Sequence, residues 1–191
     1  MKVIAFNGSP RADGNTAFLL NCVLEESRKD GIETELVQVG GRNVHGCRAC
    51  YQCFKQANQH CACKDDCLNE WIDKMLNADA VLLGSPTYFT DVTTEMKALI
   101  DRAGLTARAN NEMFKRKIGA AVVAVRRAGA IHAFDTLNHF FLIGGMIVPG
   151  SSYWNMAFGR DKGEVARDEE GVRTMTMLGQ NISWLLKKIC N

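Results

Sequence analysis

The sequence predicts an α/β protein whose parallel sheet is covered by helices on both faces. Two observations lead to this fold class. Five short segments have the apolar content and the bounding turn residues of strands, and segments with helical spacing separate most of them. Strands that alternate with helices favour parallel pairing, and strands of a parallel sheet covered on both faces are near-continuous apolar runs.

The first strand and the first helix carry the clearest signals. Val3–Phe6 is a short apolar run that the turn residues Asn7-Gly8 end. Asn15 or Thr16 can then cap a helix, which Gly31 terminates. A buried strand followed by a turn and a capped helix is the first unit of the predicted fold.

The remaining elements follow in order along the chain. The further predicted strands span residues 34–39, 78–83, 118–125 and 146–148, and the further predicted helices span residues 93–103, 131–142 and about 171–189. Only the stretch from about Val44 to Cys67 does not fit the alternation. We therefore expect a single domain of residues 1–191 with a cysteine-rich insert at about residues 44–67.

Composition and charge narrow the possible functions. The chain has 191 residues, of which 47% are hydrophobic, and a chain of this size can bury a substantial core. The net charge is +2 and no run of lysine and arginine stands out, so nothing favours nucleic acid or an acidic membrane surface as a partner. The apolar stretch within Met1–Phe6 is too short for a signal peptide or a spanning helix, so we expect a cytoplasmic protein.

Eight cysteines, six of them inside the insert, indicate metal or redox chemistry. Thiols stay reduced in the cytoplasm, so structural disulfides are not expected. Cys47, Cys50 and Cys53 recur every third residue, and Cys61 follows further along the chain. Three thiolates from one loop and a fourth from beyond it are the arrangement that a [4Fe–4S] cluster requires. Cys63 competes with Cys61 as the fourth ligand on geometry alone.

Two alternatives to the cluster stay open. Zinc also binds four thiolates, and His45 and His60 lie close by in the sequence. The even cysteine spacing, without a second Cys-x2-Cys pair, favours an iron–sulfur cluster over a zinc ribbon. The remaining alternative is a set of metal-free thiols or redox-labile pairs.

A loop suited to a phosphate lies between the first strand and the first helix. Residues 8–16 have the sequence GSPRADGNT. Small and hydroxyl residues at a helix N-terminus offer N–H donors to an anion, the helix dipole adds to the attraction, and Arg11 supplies a positive charge. The loop lacks the GxGxxG of a dinucleotide site and the Gly-Lys-Ser/Thr of a Walker loop. The remaining alternatives are a loop that binds a single phosphate group, which we call the phosphate cradle, and a turn with a helix cap that binds no ligand.

A second loop follows the third strand, where residues 84–89 have the sequence GSPTYF. In open α/β sheets, ligands bind beyond the carboxyl ends of the strands at the switch point, which in a flavodoxin-like order lies between strands one and three. A proline-stiffened loop with polar and aromatic members suits a flat heterocycle. The alternative is an ordinary loop whose aromatic residues pack in the core.

The two loops resemble those of the NAD(P)H-dependent FMN reductase superfamily. The resemblance of the second loop continues through residue 104. The cysteine group followed by Lys64-Asp65-Asp66 resembles its iron–sulfur flavoprotein branch, as do residues 125–129 and the segment DEEGVRTMTMLGQN near the C-terminus. The resemblance implies a flavodoxin-like three-layer sandwich with a five-stranded parallel sheet of order 2-1-3-4-5. It also implies one FMN per subunit and a homodimer or homotetramer with flavin sites near the subunit contacts.

The resemblance also implies the site residues. The FMN phosphate would be held by Ser9, Arg11, Asn15 and Thr16. The ring would be lined by Ser85, Pro86, Thr87, Tyr88 and Phe89, and its other edge approached by Arg126, Arg127 and Gly129. The cluster ligands would be Cys47, Cys50, Cys53 and Cys61. Cys61 is preferred over Cys63 because it stands in the matching register before Lys64-Asp65-Asp66. No catalytic acid–base pair is predicted, because a flavin itself accepts hydride or single electrons.

Two functions remain open at this point. One is an FMN-dependent oxidoreductase that shuttles electrons between an iron–sulfur cluster and FMN, with a ferredoxin-like donor. The other is an NAD(P)H-dependent FMN or quinone reductase with no metal cluster. The cysteine group favours the first, because a simple reductase needs no cluster. The sequence contains no recognisable nicotinamide-binding motif. Tyr153 and Trp154, which follow the predicted fifth strand, would cover a flavin or a neighbouring subunit, or pack in the core.

Overall fold

A five-stranded parallel sheet forms the centre of the computed structural model, which describes residues 1–190. Its strands are β1 (Lys2–Asn7), β2 (Glu33–Gln38), β3 (Ala80–Pro86), β4 (Ile118–Val125) and β5 (Met156–Phe158). They lie in the order β2-β1-β3-β4-β5, and every neighbouring pair is parallel. The predicted α/β class and the predicted order 2-1-3-4-5 are both confirmed.

Helices cover both faces of the sheet. They are α1 (Asn15–Lys29), α2 (Gln52–Gln56), α3 (Leu68–Leu76), α4 (Thr94–Ala109), α5 (Ala130–Ile143) and α6 (Glu169–Ile189), with a 3-10 turn at Glu164–Arg167. Alternate residues of β1 face opposite sides. Val3 belongs to the core beneath α1 and α6, and Ile4 to the core beneath α3, α4 and α5. Burial on both faces is why the central strands are apolar throughout.

The prediction that Met146–Val148 forms the fifth strand was wrong. Ile147 makes only an isolated parallel bridge to Ile118, with its N–H donating to the Lys117 carbonyl at 2.9 Å. Pro149 follows, and because proline has no N–H it cannot continue the ladder. The chain leaves the edge of the sheet and returns as β5 beside β4. Residues 153 and 154 consequently precede the fifth strand instead of following it.

The carboxyl edge of the sheet brings three loops together. The N–H of Gly8, after β1, donates to the Gly84 carbonyl of β3 at 2.7 Å. Thr93 Oγ1, just before α4, donates to the Gly8 carbonyl at 2.8 Å. The N–H of Thr87 donates to the Ala124 carbonyl of β4 at 3.0 Å. These bonds fix the loops after β1, β3 and β4 relative to one another at the switch point of the sheet.

The structure also bears on membrane insertion. Within residues 1–190, no helix combines the length and the apolar character needed to cross a membrane.

Candidate functional site

The loop after β1 leaves the start of α1 open to an anion. Gly14 precedes the helix, and no side chain of the described residues caps it. The backbone N–H groups of Asn15, Thr16 and Ala17 therefore have no hydrogen-bond partner among the described residues. Unpaired N–H groups at the positive end of a helix dipole attract a phosphate. This is the local geometry expected of the predicted phosphate cradle.

Ser9 and Arg11 lie beside these N–H groups. The Ser9 hydroxyl oxygen accepts the N–H of Arg11 at 3.2 Å, and the hydroxyl proton remains available as a donor. The Arg11 side chain is exposed. Gln38, at the end of β2, donates to the Ser9 carbonyl at 2.6 Å and to the Gly40 carbonyl at 2.7 Å, so the loop after β2 supports the loop after β1.

Sequence reasoning did not identify Gly40 as a support of the phosphate loop. A Cβ at this position would lie 2.3 Å from the backbone carbon of Ser9 and 2.4 Å from the Gly8 carbonyl oxygen. Only a residue without a side chain allows this close approach. The signal was present in the glycine pair that follows the second predicted strand, since paired glycines often mark close backbone contacts.

The Asn15 side chain, which was predicted to hold the phosphate, has hydrogen-bond partners within the fold. Its amide nitrogen donates to the carbonyls of Gly159 at 3.1 Å and Asp161 at 3.0 Å, and its amide oxygen accepts the N–H of Gly163 at 2.8 Å. The side chain thus holds the loop after β5 against the start of α1, and its backbone N–H is the group left for an anion. Lys162, in that loop, forms an ion pair with Asp13 of the phosphate loop.

The loop after β3 contains both engaged and free polar groups. Ser85 Oγ accepts the Thr93 N–H at 3.1 Å and donates to the Pro86 carbonyl at 2.8 Å, so its hydroxyl holds the loop itself. The Thr87 hydroxyl oxygen, in contrast, is buried and has no partner among the described residues. A buried polar atom without a partner costs free energy. A ligand that bonds to Thr87 would remove that cost.

Two aromatic residues of this loop face outward. Tyr88 is half exposed and pairs with Asp91 through two backbone hydrogen bonds of 2.8 and 3.0 Å, while the Phe89 side chain is fully exposed. Phe89 and Thr90 have φ values of 45° and 67°. Left-handed backbone at non-glycine residues is strained and concentrates at ligand-binding positions. Both aromatic side chains are thus exposed on the loop that follows β3, at the carboxyl edge of the sheet.

The loop after β4 borders the loop after β3. Gly129 has φ of 86°, and a Cβ there would lie 2.9 Å from the Thr90 Cα. Glycine is therefore required both for its conformation and for the close approach of the two loops. Arg126 and Arg127 are exposed on this loop. The structure thus gathers the predicted phosphate, ring and ring-edge residues at one edge of the sheet.

The four predicted cluster ligands line a single cavity. Cys47, Cys50, Cys53 and Cys61 line it together with Cys63 and with Arg102, Leu105 and Thr106 of α4. Cys67 lies outside this cavity, at the start of α3. Ala49, Tyr51, Ala57 and Gln59 all have left-handed backbone, with φ between 44° and 65°. Strain of this kind is typical of a segment that wraps around a ligand.

The histidines near the cysteines have other partners. His60 Nε2 lies 2.8 Å from Asp73 Oδ1, and His45 Nε2 lies 3.9 Å from Asp65 Oδ2. Across residues 1–190, no group of three or more His, Cys, Asp or Glu side chains has the arrangement of a single-ion metal site. Burial raises the pKa of the Cys53 thiol, whereas reactive free thiols have a lowered pKa. The raised pKa does not favour a redox-active free thiol at Cys53.

Comparison with known proteins decides the family. Residues 1–161 match the sequence profile of the NADPH-dependent FMN reductase family. The chain belongs to this family. It is 34% identical to an iron–sulfur flavoprotein of Methanocaldococcus jannaschii over 196 aligned residues, which cover 99% of each chain. It is 32% identical to an iron–sulfur flavoprotein of Methanosarcina thermophila, with 100% of this chain and 94% of that protein covered.

Within the FMN reductase family, the chain belongs to the iron–sulfur flavoprotein branch, as the sequence predicted. It is an FMN-dependent oxidoreductase of the electron-transfer type. The solved structure of a WrbA-like flavodoxin from Agrobacterium tumefaciens has a TM-score of 0.67 and 14% identity, and covers 98% of this chain and 97% of that one. This likeness confirms the flavodoxin-like fold.

Proposed function

We propose that the protein passes electrons between FMN bound at the carboxyl edge of the sheet and a [4Fe–4S] cluster bound by Cys47, Cys50, Cys53 and Cys61. The observation that carries the proposal is the single cavity that these four thiols share against α4. Bound FMN accepts hydride or single electrons, and a cluster carries one electron at a time. The same helix links both sites, because α4 begins where the loop after β3 ends.

The residues for FMN supply complementary donors. The free N–H groups of Asn15, Thr16 and Ala17, the Ser9 hydroxyl and the Arg11 guanidinium suit a phosphate monoester. The unpaired Thr87 hydroxyl supports a hydrogen bond to the flavin. Tyr88 and Phe89 offer ring faces, and Arg126 and Arg127 offer positive charge at the ring edge. Orienting and tuning the flavin is what the protein contributes to the chemistry.

The residues for the cluster suit iron in number and type. Four thiolates complete a cuboidal cluster, and each binds a separate iron, so the sulfurs do not converge on one point as they do around a single ion. Cys47 and Cys50 are exposed, while Cys53 is buried against α4. An open side of this kind gives a one-electron donor of the ferredoxin class access to the cluster. A cytoplasmic location would keep the thiols reduced.

A second function is an NAD(P)H-dependent FMN or quinone reductase without a cluster. The family description favours it, since the family reduces FMN with NADPH. The exposed Arg126 and Arg127 would suit the phosphates of a nicotinamide donor.

Assembly completes the proposal. We propose a homodimer or homotetramer whose single-domain subunits carry the cysteine-rich insert. Tyr153 and Trp154 are 55% and 51% exposed, with ring centroids 4.6 Å apart, and they line a pocket with Ile131 and Met156. A neighbouring subunit that covers these rings would bury large aromatic surfaces, which often dominate subunit contacts.

Anaerobic purification tests the two functions directly. We expect bound FMN and, after reconstitution with iron and sulfide, about four irons per chain with the absorption of a [4Fe–4S] cluster. Uptake of fewer than about three irons per chain would contradict the cluster proposal, and the reductase function would then be the remaining one. Rates of flavin reduction with NADH, NADPH and reduced ferredoxin then identify the donor. Faster reduction by ferredoxin supports the electron-transfer proposal, and reduction by a nicotinamide alone contradicts it.

A further inference from the structure

Arg102 of α4 has the largest of the fully buried side chains. Its side chain is 1% exposed, and the carboxylate of its partner, Asp66, is 0% exposed. Removing two charges from water is costly, and a buried ion pair often stabilises a protein no more than apolar residues of the same volume. Stability alone therefore does not explain why this ion pair is buried.

The guanidinium joins the cysteine-rich segment to α4 at two places. Arg102 Nη1 donates to the His45 carbonyl at 3.0 Å and to the Asp66 carboxylate. Arg102 Nη2 donates to the Cys63 carbonyl at 3.2 Å and to Cys61 Sγ at 3.5 Å. One side chain thus contacts the segment both before and after the three evenly spaced cysteines.

These contacts distinguish Cys61 from Cys63. Cys61 receives the N–H at its sulfur, whereas Cys63 receives it at its carbonyl oxygen. The backbone of Cys61 is also held, because its N–H donates to Asn69 Oδ1 at 2.8 Å and its carbonyl accepts from Asn69 Nδ2 at 2.9 Å. Arg102 thus contacts the side chain of Cys61 but only the backbone of Cys63, and this difference favours Cys61 as the fourth ligand.

We propose that Arg102 is a positioning residue that holds Cys61 as the fourth cluster ligand and raises the reduction potential of the cluster. This inference rests on the proposed function, because it requires the cluster. Net charge and hydrogen bonds to sulfur set the potential of an iron–sulfur centre. Reduction adds negative charge, so a cationic N–H donor at Cys61 stabilises the reduced state more than the oxidised state.

The decisive variant is Arg102→Lys. It keeps a positive charge opposite Asp66 but lacks the second nitrogen that reaches Cys61. The matched control is Arg108→Lys, which makes the same change at an exposed position of α4. The midpoint potential is read from the electron paramagnetic resonance signal of the reduced cluster during dithionite titration of the FMN-loaded, reconstituted protein. We expect Arg102→Lys to shift the reduction equilibrium about tenfold toward the oxidised cluster, a midpoint about 59 mV lower, and Arg108→Lys to leave it unchanged.

The iron content and the potential separate the two claims. A wild-type protein that takes up no cluster overturns the proposed function and the inference with it. A wild-type protein with a cluster, and an equal midpoint in Arg102→Lys, overturns the role of Arg102 alone. A merely structural role would leave the midpoint of a loaded variant unchanged, so a lowered midpoint supports the proposal.

Three further variants decide the matter if Arg102→Lys does not retain a cluster. The double variant Arg102→Gln/Asp66→Asn removes both charges together and leaves neither buried alone, and the same midpoint comparison applies to it.

Cys61→Ser and Cys63→Ser test the choice of ligand by iron content. We expect Cys61→Ser to lose the cluster and Cys63→Ser to retain it. The reverse result overturns the proposal.

Discussion

Single polar residues at the carboxyl edge of the sheet divide into those that the fold uses and those that it leaves free. The Asn15 amide holds residues 159–163, and the Ser85 hydroxyl holds the loop after β3. The Thr87 hydroxyl is buried and has no partner within residues 1–190. In the proposed FMN site, Asn15 and Ser85 would therefore act mainly by holding backbone in place, whereas Thr87 would contact the flavin directly.

The variant Thr87→Val tests that contact. We expect it to weaken FMN binding by about 0.5–1.5 kcal/mol, the usual net contribution of one hydrogen bond. The free energy of unfolding of the apoprotein should be unchanged or slightly higher, because a methyl group replaces an unpaired buried hydroxyl of the same shape. Fluorescence titration of the apoprotein with FMN, together with urea unfolding, measures both quantities.

Thr90→Val is the control for this variant, since the Thr90 hydroxyl is exposed and donates within its own loop, to the Phe89 carbonyl. Its FMN affinity should match that of the wild type. Equal affinity in Thr87→Val and wild type would show that the flavin does not use the buried hydroxyl.

At the scale of elements, α4 connects the two proposed sites. It begins beside the loop after β3, and Arg102, eight residues after Thr94, lies about 12 Å further along the helix axis at a rise of about 1.5 Å per residue. Thr93 anchors the first turn to Gly8, and Arg102 anchors the cysteine-rich segment. A change in either the Thr93 or the Arg102 contact therefore acts on α4, the helix that carries both.

The ion pair of this element predicts a pH dependence. Burial opposes the charge on Asp66, but hydrogen bonds from Arg102 and from two backbone N–H groups outweigh burial and hold the pKa of this carboxyl below its usual range. An unfolded aspartate has a pKa of about 3.9. A lowered native pKa gives stability that is complete above the unfolded pKa and is lost as the pH falls through the native one.

We therefore expect the free energy of unfolding of the apoprotein to fall as the pH drops below about 4, and to fall less steeply in Asp66→Asn. Urea unfolding between neutral and acidic pH measures the slope. Asp65→Asn, at an exposed neighbouring carboxylate, should keep the wild-type slope. If Asp66→Asn and the wild type lose stability in parallel, another carboxyl causes the acid sensitivity.

At the scale of the whole molecule, the parallel sheet assembles a site from loops that are far apart in sequence. The loops after β1, β2, β3 and β4 meet at one edge because parallel strands all point their carboxyl ends the same way. On the β2 side of this edge, Gly40 packs directly against the backbone of Ser9 and Gly8.

The variant Gly40→Ala should disturb this assembly. A Cβ cannot lie 2.3 Å from backbone, so the two loops must separate. We expect a loss of about 1–3 kcal/mol in the free energy of unfolding, as for other overpacked sites, and weakened FMN binding through the displaced phosphate loop. Urea unfolding and FMN titration provide the measurements.

Gly150→Ala is the matched control, because a Cβ at Gly150 would meet no atom of the described part of the chain within 4 Å. It should retain wild-type stability and affinity. Unchanged FMN binding in Gly40→Ala would mean that the loop after β2 does not support the phosphate loop.

Local sequence signals predicted most of the fold and missed one strand. The apolar runs at β1, β3 and β4 were clear because those strands are buried on both faces. The fifth strand was misplaced because Met146–Val148 has the composition of a strand but only one bridge to the sheet. Whether a short apolar run pairs along its whole length depends on its neighbour and on the following proline, and composition alone does not contain this information.

The sequence by itself determined the α/β class, the two polar loops of the proposed flavin site and the cysteine spacing, because these depend on residue types at fixed local distances, and the sheet order followed from the family resemblance that those motifs carry. The tertiary structure decided which groups remain free for a ligand. It engaged the Asn15 amide with residues 159–163, left the Thr87 hydroxyl unpaired, and placed Arg102 against Cys61 across 41 positions of the chain. Whether a polar group is satisfied depends on partners that folding brings from distant segments, and no local pattern specifies them.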